Sequence, residues 1–215
     1  MQQRNKTVQR GRGRPQSRPD EITRELIHEA ARQEFLSSGY ATTSMEAVAS
    51  RAGVSTKTLY RLIPTKAELF EEMVTARLDA FFSKITADVV DRVDLASALE
   101  TMLIDCAGLT LDGEVLGLHR LVISESDRFP ELAQTFYKKG VQRVPMALAE
   151  WLSLQCERGA LRLQDPKAAA GILLGMMISE PQRAAILGQG KRLSAKAMQE
   201  RARTCAKLFL KGCIR

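Results

Sequence analysis

Residues 43–66 read TSMEAVASRAGVSTKTLYRLIPTK, and their spacing decides the fold. Thr43 and Glu46 stand in capping-box spacing, which predicts a first helix over about 44–51. Ala49 is small where a second helix must approach, and Gly53 falls where the chain leaves the first helix, a position that favours a left-handed backbone. Ser55 then caps a second short helix. Met45, Val48, Val54, Leu59 and Leu62 are spaced to meet in one small core. Pro64 ends the second helix, and Thr65 and Glu68 repeat the capping-box spacing to open a third. Two short helices around a tight turn, the second bearing Thr, Lys, Tyr and Arg outward, have the layout of a helix-turn-helix, which offers one helix to the major groove of DNA. A helical hairpin with a polar face shares the helix–glycine–helix pattern, but here the small residue, the turn glycine and the apolar positions fall in register together.

Charge agrees with that reading. The 215-residue chain carries a net +7, unevenly spread. Residues 1–66 hold 12 Lys/Arg against 6 Asp/Glu, residues 67–190 hold 12 against 18, and residues 191–215 hold 8 against 1. A basic first third suits a polyanion, whereas the acidic middle argues against DNA wrapping the whole molecule. The basic last stretch reads as a solvated helix face. Residues 1–18 form a basic arm without acids, expected to be disordered in the absence of DNA. Its centre, Arg10-Gly11-Arg12-Gly13-Arg14-Pro15, resembles an AT-hook, whose glycines let the chain lie in a narrow minor groove where Arg12 and Arg14 meet its negative potential.

Upstream, Ile22, Leu26, Ile27, Ala30, Ala31 and Phe35 make one apolar stripe, predicting a helix over about 20–38 that stops at Gly39. Beyond Lys66 the chain reads as helix throughout, near 76–92, 95–111, 114–126, 130–140, 141–159, 166–188 and 194–211, with breaks at Gly113, Pro130, Gly140, Gly159 and Gly188-Gln-Gly190. The expected fold is all-α: a basic arm (1–18), a three-helix helix-turn-helix domain (19–66) and a C-terminal helical bundle (67–215).

Other function classes find little support. The two histidines, His28 and His119, lie far apart in sequence, and there is no phosphate-binding glycine loop, nucleophile elbow or metal-ligand spacing. We therefore expect no enzyme activity, cofactor or metal. Cys106, Cys156, Cys205 and Cys213 are scattered and read as reduced thiols. No secretory signal is visible and the longest apolar run is too short to span a bilayer, so the expected location is cytoplasmic, with no membrane partner.

Gly39-Tyr40, Thr43-Ser44-Met45, Val48-Ala49, Ala52-Gly53-Val54-Ser55, Leu59-Tyr60 and Lys66-x-x-Leu69 resemble the tetracycline-repressor family of bacterial transcriptional regulators. The specific likeness covers about residues 22–73. Residues 120–163, containing SESDRFPELAQTFYKKG, resemble the ligand domain of one subgroup more softly. One departure stands out: where the family usually has His or Tyr followed by Phe, this chain has Leu62-Ile63, and Leu62 cannot donate to a phosphate.

On the reader, Thr56, Lys57 and Thr58 sit near the N-terminus of the second helix and are assigned to base edges. Lys57 could reach guanine acceptors, and a Thr methyl could pack on a thymine methyl. Thr43, Ser44, Tyr60, Arg61 and Lys66 are assigned to phosphates. A single module of this size reads too little sequence, so a homodimer on a palindromic double-stranded operator is expected. The resemblance implies that the dimer is built by two C-terminal helices, here about 141–158 and 166–186. Val144, Leu148, Trp151, Leu152, Ala169, Ile172 and Met176 are the candidate contacts; the same residues could equally be core. The resemblance also implies release by a small-molecule inducer in a C-terminal cavity, acting through a tilt of the helix that begins at Lys66. Phe81, Phe82, Leu103, Cys106, Leu118, His119, Val122 and Phe136 are the candidate lining, and their faces suggest a largely apolar ligand. Repression is the expected mode. An architectural or protein-partnered DNA-binding protein without a ligand is the alternative.

Overall fold

The spacing of apolar residues every three or four positions predicts packed helices, and a computed structural model, describing residues 18–89, 94–190 and 193–213, has that architecture. Its helices are α1 (Asp20–Ser38), α2 (Met45–Ala52), α3 (Thr56–Leu62), α4 (Lys66–Val89), α5 (Leu95–Thr110), α6 (Gly113–Glu125), α7 (Pro130–Phe136), α8 (Arg143–Glu157), α9 (Pro166–Ile186) and α10 (Ala195–Cys213). Tyr137–Val141 form a π turn between α7 and α8. No strand occurs among the described residues, and the fold is all-α. Arg12 and Arg14, with the rest of the proposed minor-groove arm up to residue 17, lie outside the described residues.

Local chemistry explains the first three helices. Ile27, Ala30, Ala31 and Phe35 of α1 bury against Val48 and Ala49 of α2 and Leu59 of α3. The cap of α2 is one residue later than its spacing predicts: the Ser44 hydroxyl accepts from the Ala47 N–H at 3.1 Å. Thr43 is instead buried, and its hydroxyl donates to the Gly39 carbonyl at 2.7 Å. Ser55 caps α3 by accepting from the Thr58 N–H. Gly53 has φ +66°, the left-handed conformation that lets its N–H close back on the end of α2.

The 24-residue α4 runs unbroken from the reader into the bundle. Leu69, Phe70, Met73 and Val74 on its first turns join the reader's core, Leu78 continues into the bundle, and the buried residues form one continuous cluster from Ile27 to Leu210. Gly117 lets α6 approach α1 closely, because a Cβ there would sit 2.8 Å from Leu36 Cδ2. Gly113, predicted to break a helix, opens α6 behind its cap Asp112. Gly140, predicted as a second break, lies inside the π turn.

In the bundle, α8 packs on α9 and α5 on α10. Pro181 stands inside α9 without an N–H, which frees the carbonyl four residues earlier. Arg201 of α10 fills that vacancy: its Nε donates to the Met177 carbonyl and its Nη2 to the Met176 carbonyl, both at 2.8 Å. A helix break is thereby converted into an interhelical tie.

Candidate nucleic-acid interface and internal cavity

The outward face of the reader is built by α3 and the start of α2. Thr56 and Lys57 are exposed on the first turn of α3, and Lys57 has no ion-pair partner among the described residues. Thr58 is half-buried, its hydroxyl 2.8 Å from that of Ser55. The exposed Ser44 hydroxyl serves as the α2 cap and keeps its own proton for an outside acceptor. Tyr60 is exposed and donates to Glu46 Oε1 at 3.1 Å, and that carboxylate pushes the phenol's pKa up. Arg61 is exposed and makes a two-pronged pair with Asp20 at the start of α1, at 2.9 and 2.7 Å.

Two residues assigned to phosphates turn inward. The Thr43 hydroxyl is used in the loop before α2, as described above. Lys66 sends its ammonium to the carbonyls of Tyr40 at 2.7 Å and Thr43 at 3.0 Å, and reaches that of Ala41 at 3.4 Å. Burial lowers its pKa; Glu125 partly offsets this, and Arg128 adds to it. The Ala41 N–H donates to Glu125 Oε1 at 3.3 Å. The end of α6, the start of α4 and the loop before α2 are therefore knotted together. Leu62 and Ile63, the departure from the family pattern, are both buried. Arg24 of α1 donates to the Leu62 carbonyl at 2.9 Å and pairs with Glu72 of α4.

Behind the reader lies a cavity of about 300 Å³, lined by α4, α5, α6, α7, the π turn, α8 and α9 and open to the surface beside the exposed Gly171 and Ser179. Its wall is mainly apolar, including Leu78, Val115, Leu174 and Ile178. Of the candidate lining residues, Leu118, His119 and Phe136 border it. Phe81, Phe82, Leu103, Cys106 and Val122 do not. The Phe82 ring instead packs under the Arg143 guanidinium and against Phe81, at the far end of α4. Leu103, Cys106 and Val122 are sealed in the core, where burial pushes the Cys106 thiol up to about 12. From α4 the sequence suggests Phe81 and Phe82, whereas Val74, Arg77 and Leu78 form the wall, and sequence reasoning missed the contributions of α8 and α9. Val144, read as a dimer contact, lines the cavity; so do Gly171 and Gly175, read as close-packing positions. Leu148 and Leu152, also read as dimer contacts, are fully buried within the chain. Trp151, Ala169 and Met176 are half-buried, and Ile172 is exposed.

Aromatic rings connect cavity and reader. The His119 ring meets Phe136 edge-on at 4.8 Å; Phe136 lies 6.4 Å from Phe70 on α4, and Phe70 lies 5.9 Å from both Phe35 and Tyr40. Tyr40 is the residue whose ring and carbonyl hold Lys66.

Residues 27–73 match the family described as bacterial regulatory proteins, tetR family, and residues 97–212 match the AefR-like transcriptional repressor, C-terminal domain. A Bacillus subtilis (strain 168) protein, the uncharacterized HTH-type transcriptional regulator YhgD, is 24% identical over 160 residues, which is 73% of this chain and 81% of that protein. A solved structure from Mesorhizobium loti MAFF303099, described as a TetR-family transcriptional regulator, superposes with a TM-score of 0.80 at 28% identity, covering 93% of this chain and 100% of that one. The flavonoid-responsive regulator FrrA superposes with a TM-score of 0.72 at 29% identity, covering 90% and 98%. No helix among the described residues is long and apolar enough to cross a membrane.

Proposed function

The chain belongs to the TetR family of bacterial transcriptional regulators, and from that premise we propose that it is a repressor that binds a palindromic operator as a homodimer and is released by a small, largely apolar inducer. The observation that carries the ligand half is the cavity itself, whose wall includes Val74, Arg77 and Leu78 from the same helix whose first turns pack in the reader's core. An inducer acts only if it binds the DNA-incompetent arrangement better than the competent one. A molecule that spreads the cavity wall presses on α4, and the ties from Lys66 and Glu125 to the loop before α2 carry that displacement to α2 and α3. In a two-fold dimer the two reading helices then lose the spacing that matches successive turns of the groove. The name of the flavonoid-responsive relative supports aromatic compounds as the first set to try.

On the DNA side, Thr56, Lys57 and Thr58 read bases, while Ser44, Tyr60 and Arg61 face phosphates. The test is selection of bound duplexes from a random pool, followed by release with a panel of apolar aromatics. A selected palindrome, and its release by compounds that raise the protein's melting temperature, is the expected result. Failure to prefer any duplex over random competitor overturns the proposal, as does full retention of the operator in the presence of stabilising compounds.

A further inference from the structure

We propose that His119 reads the ligand as a hydrogen-bond acceptor, so that the cavity selects an uncharged apolar body carrying a hydroxyl that donates to His119 Nε2. This rests on the cavity being the effector site.

His119 Nδ1 lies 3.0 Å from the Val115 carbonyl. A carbonyl only accepts, so Nδ1 holds the ring proton, and in the neutral ring Nε2 is left with a lone pair. Burial lowers the imidazole pKa and keeps the ring neutral, against a smaller opposing effect of the Val115 bond. Nε2 makes no hydrogen bond among the described residues, yet no side-chain nitrogen or oxygen there is both sealed from solvent-sized space and unpartnered. Because His119 lines the cavity, that space is the cavity. Phe136, edge-on at 89°, fixes the ring's orientation.

The rest of the polar wall gives the ligand's charge. The Thr110 hydroxyl donates to the Cys106 carbonyl at 2.7 Å, so its oxygen is also left as an acceptor. Arg77 lines the cavity, but its guanidinium is held by Asp112 at 3.0 Å and Glu114 at 3.5 Å, so its charge is already matched. Ser179 and Gln182 also line the cavity and can donate as well as accept, so a carboxylate ligand would find neutral donors there but no unmatched cation. An ammonium would meet a wall with no carboxylate of its own. A neutral donor suits both acceptors, whereas a methyl ether in its place leaves Nε2 buried without a partner.

The test titrates 4-hydroxybiphenyl, 4-methoxybiphenyl and biphenyl-4-carboxylate into the full chain by calorimetry. We expect the phenol to bind about tenfold more tightly than the ether, and the difference to vanish in His119→Leu. Equal affinities, a preference that survives His119→Leu, or tightest binding of the carboxylate overturns the proposal but leaves the cavity as a binding site. Binding of none of the three overturns both readings. Nitrogen NMR of the His119 ring gives a second readout that does not depend on the variant folding. Nε2 should be unprotonated in the free protein and shift with the phenol but not with the ether; a protonated Nε2 in the free protein overturns the proposal.

Discussion

The Lys66 ammonium stands 4.6 Å above the centre of the Tyr40 ring while donating to the Tyr40 carbonyl at 2.7 Å. One side chain thus joins the first residue of α4 to the loop that aims α2 and α3. Its charge is spent inside the protein, where it satisfies carbonyls with no helical partner.

Replacing Lys66 by Met keeps the stem and removes the donors. The chain should lose about 1–3 kcal/mol of stability, the cost of leaving such carbonyls unmatched. Operator affinity should fall because the reader is misaimed, with the salt dependence unchanged, since no phosphate contact is lost. Urea titration and operator binding at several salt concentrations check both. A flattened salt dependence would restore Lys66 to the phosphate-binding set.

Lys57 is the contrasting case, exposed on the first turn of α3 with no ion pair of its own among the described residues. Lys57→Ala should cost ~1–3 kcal/mol at one base position and relax the choice of base there. Comparing selected sequences for wild type and variant decides this; a uniform loss across all sequences would make Lys57 a phosphate ligand.

Asp20 holds Arg61 in a bidentate pair on the reader's surface, which mutes the arginine's attraction for phosphate. Asp20→Asn should free Arg61, strengthen binding to any duplex and steepen its salt dependence. Fluorescence anisotropy with specific and random duplexes measures it. No change in either would remove Arg61 from the interface.

The reader was legible in the sequence because its determinants are local: Ser55, Gly53 and the apolar spacing act within a few residues of where they stand. The cap of α2 was misplaced by one residue because Thr43 and Ser44 are both capping types, and the choice between them depends on the carbonyl of Gly39. The inward bonding of Lys66 is hidden in the sequence for a similar reason. Its carbonyl partners lie more than twenty positions upstream and come together only in the fold. The cavity was half legible. α6 and α7 gave Leu118, His119 and Phe136, but which faces of α4, α8 and α9 turn toward them is a tertiary fact. Gly171 and Gly175 carry no local sign that they border a space rather than a neighbouring helix.

Both described histidines are neutral by burial. His119 and His28 have pKa values pushed below the ordinary 6.5, chiefly by burial; for His28 the hydrogen bond and charge of Glu72 oppose this. The unfolded chain therefore takes up protons first as the pH falls. Their contribution is fully present above 6.5 and is lost progressively below it, until the folded-state rings titrate. Unfolding free energy measured in urea should decline between about pH 7.5 and 5.5, before ordinary carboxylates titrate, and more shallowly in His119→Leu. A flat profile in the wild type would mean that neither ring is desolvated.

Ile172 is 65% exposed on α9, and Met146 and Leu154 are 52% and 40% exposed on the adjoining α8. Leu148 and Leu152 already serve the chain's own core, so a dimer formed by these helices has to use the outer residues. In a two-fold interface each substitution acts twice. Ile172→Glu should therefore weaken self-association by about tenfold or more, since burying an isoleucine is worth ~1.5–3 kcal/mol, and it should leave helix content and melting temperature close to wild type. Leu152→Ala should do the reverse, costing about 2–5 kcal/mol of stability through a core cavity without acting directly on association. Sedimentation, circular dichroism and operator binding on the same samples separate the two effects. If Ile172→Glu sediments as the wild type does and binds operator equally well, the protomers meet on some other surface, and the coupling between cavity and reading helices must be rebuilt around that surface.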